Sequence, residues 1–184
     1  MRRLMTMAAL ALLLLAGGAQ AQHVGVGGGI GAWSTSRGME ASDVATSLTA
    51  TTTGLAAETL RTWTIQPGTM LTKPGFRLVA MATALNNANA KTLTVRVNGT
   101  SVGSLAAPTS AATSISLEVE CWVRSATVLQ CDRTNRTEAG VLSGGTAPAT
   151  VDLAAAITVI VQGTTPTAAG DMTLVAFTSY FFRP

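Results

Sequence analysis

An alternation of apolar and polar residues restricts the fold of this chain more than any other feature. In TLTVRVNG (92–99), Leu or Val occupies every second position and Thr or Arg stands between them. The segment ISLEVECWV (115–123) alternates in the same way. A period of two residues is that of a β-strand with one buried face. Asn98-Gly99 is the dipeptide that most strongly predicts a two-residue hairpin, so the patterns predict antiparallel strands joined by tight turns.

Composition extends this prediction to the rest of the globular region. Hydrophobic residues make up 47% of the chain, but aromatic residues only 4% and charged residues 11%. Small and β-branched side chains of this kind suit strands rather than long amphipathic helices. The sequence therefore predicts an all-β fold, an antiparallel β-sandwich of jelly-roll type. After a first strand that Pro67-Gly68 ends, further strands are expected at 76–85, 92–97, 100–106, 115–123, 127–133, 139–142, 155–162 and 172–182.

Three regions are expected along the chain. Residues 1–21 have a basic start, a short apolar stretch and a small-residue end at Ala19-Gln20-Ala21, the layout of a signal peptide. A hydrophobic N-terminal anchor is the alternative interpretation. Residues 22–58 form a flexible arm rich in Gly, Ser and Thr, and 59–184 form the sandwich. The apolar stretch is too short for a comfortable bilayer crossing, so we expect no stable membrane span in the mature chain.

The two cysteines of the chain, Cys121 and Cys131, are candidates for a disulfide. If the turn between their strands centres on Ala126, the two residues are directly opposite each other. Opposed positions bring Cβ atoms to roughly 4.5–5.5 Å, which a bridge spans with modest adjustment. Two separate buried thiols remain the alternative. An exported chain would favour the bridge.

Catalytic and metal chemistry find little support in the sequence. The one histidine, His23, falls in the arm, and Glu118 and Glu120 share one face of one strand, which is typical of a solvated face rather than of a catalytic pair. Two sulfurs and one histidine make a poor metal site. We expect a protein that is not an enzyme and that has no metal and no cofactor.

Binding residues are sought instead among exposed aromatic and basic side chains. Trp63 and Trp122 are both expected on the polar faces of their strands, and with Arg124 they are candidate ligand contacts. Packing at the edge of the core is the competing interpretation for both tryptophans. Without Arg2 and Arg3, 10 basic and 9 acidic residues remain, and the basic ones are scattered. Nucleic acid is therefore not an expected partner.

Residues 60–182 resemble jelly-roll structural proteins of tailed bacteriophages and prophages. The turn motifs that carry the resemblance are NANAKT at 87–92 and GDMT at 170–173, within the runs 63–102 and 154–182. The resemblance implies a non-enzymatic structural or adhesive virion module, such as a tail, fibre or capsid decoration protein. It also implies a homo-oligomer, which we take to be a trimer, with other virion proteins as partners. The signal-like N-terminus departs from this family and favours the alternative, a secreted periplasmic or extracellular module that binds a carbohydrate or another surface.

Overall fold

The computed structural model describes residues 39–182 except 46–47, 49, 55, 86, 108–112, 138–139 and 166–167. The expected signal peptide or anchor at 1–21, His23 and most of the expected arm lie outside the described residues. Within the described part, the chain forms eleven strands and one short helix. Their bounds are β1 Met39–Ala45, β2 Ala50–Thr51, β3 Ala57–Ile65, α1 Thr69–Thr72, β4 Gly75–Ala84, β5 Lys91–Val97, β6 Thr100–Ala107, β7 Thr113–Ser125, β8 Val128–Thr137, β9 Gly140–Thr150, β10 Ile157–Thr164 and β11 Met172–Phe182.

The strands pair into two sheets with jelly-roll order. The larger sheet runs β1-β11-β4-β7-β8-β9, with β2 also paired to β11, and the smaller sheet runs β3-β10-β5-β6. The chain passes back and forth between the sheets, so that β1-β11-β4-β7 and β3-β10-β5-β6 are the two four-stranded halves of a jelly roll. The β8–β9 hairpin widens the larger sheet. The predicted all-β, jelly-roll sandwich is confirmed.

Side-chain alternation explains why the two sheets pack. Every second residue of the central strands is fully or nearly buried, and these residues form one hydrophobic core. The polar residues between them turn outwards, as period two requires. The core residues from the larger sheet include Phe76, Leu78, Ala80, Leu117, Val119, Leu129, Leu174 and Phe177, and those from the smaller sheet include Trp63, Ile65, Leu93, Val95, Val97, Leu105, Val159 and Val161.

The predicted Asn-Gly hairpin joins β5 to β6. Asn98 has φ 46° and Gly99 has φ 82°, and positive φ at both central residues is the requirement of a type I′ turn. Asn98 also fastens this turn to the neighbouring strand, because its Oδ1 accepts a hydrogen bond from the Thr158 amide at 2.9 Å. The hairpin prediction is confirmed.

A disulfide links Cys121 on β7 to Cys131 on β8, as the sequence predicts. The two residues are directly opposite each other, with a Cα–Cα distance of 4.0 Å. The register differs slightly from a simple turn centred on Ala126. Val123 pairs with Leu129, and Ser125 with Val128, so a bulge at Arg124 absorbs one residue. A disulfide is typical of proteins that fold outside the reducing cytoplasm, and it favours a periplasmic or extracellular location.

The sandwich begins earlier than the expected boundary at residue 59, so that boundary is wrong. β1, β2 and the start of β3 lie within 39–58 and belong to the two sheets. An ion pair of 2.6 Å between Asp43 and Arg61 connects β1 to β3. The sequence does not reveal β1 and β2 because they are short and polar, as the outer positions of a sheet allow.

The strand expected at 139–142 is also longer than predicted and covers Gly140–Thr150. Its glycines and Pro148 indicate a loop by composition, but β9 is an edge strand, where such residues are tolerated. No helix in the described part of the chain has the length and apolar character needed to cross a membrane.

We predict that the disulfide contributes to stability through the short loop it closes. Changing Cys121→Ala together with Cys131→Ala should lower the free energy of unfolding by about 2–3 kcal/mol, because the unfolded chain regains loop entropy. Urea unfolding followed by tryptophan fluorescence measures the loss. The wild type under reducing conditions is the matched control without a change in side-chain volume. Equal stability of oxidised and reduced wild type would contradict the prediction.

Candidate functional site

The outer face of the larger sheet carries an exposed aromatic surface near one end of β7 and β8. Trp122 is directly opposite Gln130, and Gln130 is opposite Pro148 on β9. Because Cys121 and Cys131 point into the core, Trp122 and Gln130 must point away from it. Trp122 is 36% exposed, which places it among the large apolar side chains that are exposed in the described residues. We call the side chains of Trp122, Arg124, Gln130, Pro148 and Phe182 the Trp122 surface.

The bulge at the end of β7 adds a basic residue to this surface. Arg124 is the extra residue of the bulge and is exposed. Its Nη1 donates a hydrogen bond of 3.3 Å to Oε1 of Gln130. The guanidinium therefore lies on the same side of the sheet as Trp122, where its remaining donors are available to a ligand.

A glycine lets a second ring lie beside this surface. Gly75 on β4 is opposite Trp122. A Cβ at Gly75 would collide with the carbonyl oxygen of Cys121 and would come within 2.9 Å of Cδ2 of Phe182. Phe182 therefore packs over the glycine, and the aromatic side chains flank a position that has no side chain.

A row of three charged residues and one threonine runs parallel to the Trp122 surface, displaced from it by two residues along each strand. Arg77, Glu120, Asp132 and Thr146 are neighbours across β4, β7, β8 and β9. Arg77 Nη2 forms a close ion pair of 2.7 Å with Oε1 of Glu118, whereas its Nε is 3.7 Å from Oε1 of Glu120. Glu118 is therefore the better neutralised of the two strand-sharing glutamates.

The structure brings two of the three predicted binding residues together. Trp122 and Arg124 share the outer face, joined through Gln130. Trp63 does not, and its expected position on a polar face is wrong: it is 6% exposed and packs in the core. Its ring meets Phe76 edge-on at 5.3 Å and lies 5.5 Å from that of Phe181.

A register shift explains the wrong parity of Trp63. On β3, Arg61 pairs with Val161 but Thr59 pairs with Gln162, so Leu60 is an unpaired bulge residue. Gln130, Pro148 and Phe182 were missed by sequence reasoning. The signal for Gln130 was available, because a Cys121–Cys131 bridge places the residues that precede and follow these cysteines opposite each other.

A buried polar cluster joins the two turns that carry the phage resemblance. The Asp171 carboxylate, 3% exposed, accepts hydrogen bonds from Nδ2 of Asn87 at 2.8 Å and Nδ2 of Asn89 at 2.7 Å. Lys91 Nζ is also buried and donates to the backbone carbonyls of Asn89 at 2.8 Å and Asn87 at 3.2 Å. These contacts hold the β4–β5 connection against the β10–β11 connection. The asparagines therefore form a turn and also link the two connections through hydrogen bonds to Asp171.

This cluster favours the ionised form of Asp171. The hydrogen bond from Asn89 is the main reason that its pKa is lower than the ordinary value of 3.8. Burial opposes this effect, while the bond from Asn87 and the positive charge of Lys91 lower the pKa further. In the described residues, no group of three or more His, Cys, Asp or Glu side chains is placed to hold a metal ion.

Comparison with known proteins adds a structural likeness. No protein-family model matches the chain, and no curated protein matches it. Among solved structures, the chain is similar to peanut lectin with the 9mer peptide PVIWSSATG, at 8% sequence identity and a TM-score of 0.38. The match covers 79% of this chain and 91% of that chain. The fold is assigned from the strand order of the two sheets.

We predict a stability contribution from Asp171 that disappears in acid. Because its pKa is lower in the folded chain, the contribution is present above the ordinary pKa of 3.8 and is lost as the pH falls through the lowered pKa. Asp171→Asn should therefore be less stable than the wild type at neutral pH, since its amide would place a donor against the amide donors of Asn87 or Asn89. The difference in unfolding free energy between the two should shrink below about pH 4.

Asp152→Asn is the matched control for this measurement. Asp152 is exposed, and its Oδ1 accepts a hydrogen bond from the Ala154 amide that an asparagine oxygen can also accept. Urea unfolding from pH 2.5 to 7 compares the three proteins. A constant difference between wild type and Asp171→Asn over this range would count against the assignment.

Proposed function

We propose that this chain is a non-enzymatic binding module that works outside the cytoplasm and contacts a carbohydrate through the Trp122 surface. The observation that carries the proposal is the exposed ring of Trp122 beside the Arg124–Gln130 hydrogen bond on the outer face of the larger sheet. A tryptophan ring offers a rigid apolar face with little entropy to lose. The C–H face of a pyranose ring fits such a platform, and its hydroxyls both donate and accept hydrogen bonds.

Rigidity supports this proposal. Trp122 follows directly after Cys121, and Gln130 directly precedes Cys131, so the disulfide ties together the two strands that present these side chains. A surface that is already ordered before binding pays little additional entropy when the ligand arrives. The hydrogen bond from Arg124 to Gln130 restricts two long side chains in the same way.

The placement of the acidic residues supports binding rather than catalysis. Glu118 and Glu120 lie on one strand, and Glu118 is engaged by Arg77 at 2.7 Å. Hydrolytic carboxylate pairs face each other across a bound substrate, whereas these side chains project from a single sheet face. The proposed role is therefore to hold a sugar chain without changing it.

Removing the ring of Trp122 tests this function. Trp122→Ala should weaken binding to the glycans that the wild type recognises on a glycan array by roughly tenfold or more, equal to about 1.4 kcal/mol. Arg124→Ala should weaken it less, because Gln130 remains. Leu71→Ala is the matched control, since Leu71 is a large exposed apolar side chain on α1. Full binding by Trp122→Ala, or no binding by the wild type, would refute the proposal.

A virion structural role is the second candidate. The observation in its favour is that the two motifs of the resemblance, NANAKT and GDMT, meet in one hydrogen-bonded cluster through Asp171. Jelly-roll sheets occur in viral capsid proteins as well as in lectins. In this candidate the sandwich displays loops as part of an assembly with other virion proteins.

Molecular mass separates the second candidate from the first. As a virion module the chain should form a trimer, with about three times the subunit mass in light scattering at micromolar concentration. Mass spectrometry of the chain in virions should then find Met1 intact, whereas export predicts a start at Gln22. A monomer that starts at Gln22 would contradict the virion role.

A further inference from the structure

Two carboxylates lie next to the Trp122 surface with little to neutralise them. Glu120 and Asp132 are directly opposite each other on β7 and β8. Among the described residues, the side chain of Asp132 makes no hydrogen bond or ion pair; the residue is partly exposed, and its Oδ1 is a buried atom without a partner. Oε1 of Glu120 lies 3.7 Å from Nε of Arg77.

This arrangement of the two carboxylates is energetically unfavourable when no ligand is bound. Like charges directly opposite each other on a sheet repel, and a carboxylate that gives up contact with water without gaining a donor loses solvation. A ligand that brings hydroxyl or ammonium donors to the exposed parts of these two carboxylates would reduce the repulsion between them. A ligand that brings further negative charge would increase the repulsion.

The distance from this row to the aromatic ring suits one sugar unit. Glu120 and Trp122 are two residues apart on one strand, a separation of about 6.8 Å. Asp132 and Gln130 stand in the same relation on β8. A pyranose stacked on Trp122 can therefore direct ring hydroxyls towards Glu120 and Asp132 while its opposite edge faces Arg124.

We infer that Glu120 and Asp132 are hydrogen-bond acceptors for this sugar and select its charge. The ligand is an uncharged or amino-bearing glycan, and uronic, sialic and sulfated glycans are excluded by repulsion. This inference rests on the proposed function, because it assigns the ligand class of the same surface. Charge-assisted hydrogen bonds from hydroxyls to carboxylates supply the selectivity, since they are stronger than bonds between neutral groups.

The test is a glycan array with neutral, amino and acidic members, probed with wild type, Asp132→Asn and Glu120→Gln. We expect the wild type to bind neutral and amino glycans only. Each variant should bind the neutral glycans roughly tenfold more weakly, because it loses a charged acceptor. Each should also discriminate less against the acidic members. Raising the salt concentration should also reduce the preference of the wild type for neutral over acidic glycans, because salt screens the repulsion between like charges.

Stability distinguishes a binding role from a structural one. Asp132→Asn removes a charge that has no partner in the described residues, so urea unfolding should find it at least as stable as the wild type. Asp152→Asn, an exposed acidic residue in the β9–β10 connection, is the matched control and should keep the wild-type array profile.

The outcomes separate the two proposals. Wild-type binding to neutral and acidic glycans alike, with an unchanged profile in Asp132→Asn, would overturn the charge selection and leave carbohydrate binding intact. A marked loss of stability in Asp132→Asn would also overturn it, because Asp132 would then be structural. No wild-type binding to any member of the array would refute both.

Discussion

The pairing of β7 with β8 is the constraint on which the rest of the structure depends. The covalent link from Cys121 to Cys131 fixes the register of the two strands. A shift of one residue would turn every side chain of a strand to the opposite face. If β8 shifted in this way against β7, Leu129 would meet water and Gln130 would enter the core. The register of β7 and β8 therefore determines both which residues enter the core and which residues form the candidate site.

Much of the fold could be predicted from the sequence, because its signals are local. The alternation in β5 and β7, the Asn98-Gly99 turn and the opposed cysteines each involve neighbouring residues or one hairpin. The jelly-roll arrangement was likewise confirmed. The failures have a common physical cause, since β1, β2 and most of β9 lie at or near sheet edges, where burial does not impose an apolar pattern.

The candidate site could be predicted only in part, for a related reason. Trp122 and Arg124 belong to one strand and its turn, and parity was sufficient to associate them. Trp63 was misplaced because the bulge at Leu60 is set by pairing with a strand about a hundred residues later in the chain. Phe182 and Pro148 approach the site across other strand pairs. Strand pairing between residues that are far apart in the chain cannot be predicted from the sequence of one strand alone.

The Asp171 cluster is a polar turn that also stabilises the packing of distant parts of the sandwich. Its asparagines first reverse the chain and then bind a carboxylate more than eighty residues further along. Both charged members are buried, and each is satisfied by several partners, which is the condition for retaining charge inside a protein. The cluster therefore adds specificity at a point where two connections between the sheets approach each other.

The position of β11 has a consequence for how the chain matures. This strand is the last of the described strands along the chain, yet it is inserted between β1 and β4 in the larger sheet. Until β11 is in place, one edge of β4 has no partner strand, and the side-chain amides of Asn87 and Asn89 lack the Asp171 carboxylate as an acceptor. Closure of the sandwich therefore requires β11 and depends on contacts of high sequence separation, which form slowly. A chain in which β11 has not yet been synthesised therefore has an incomplete larger sheet.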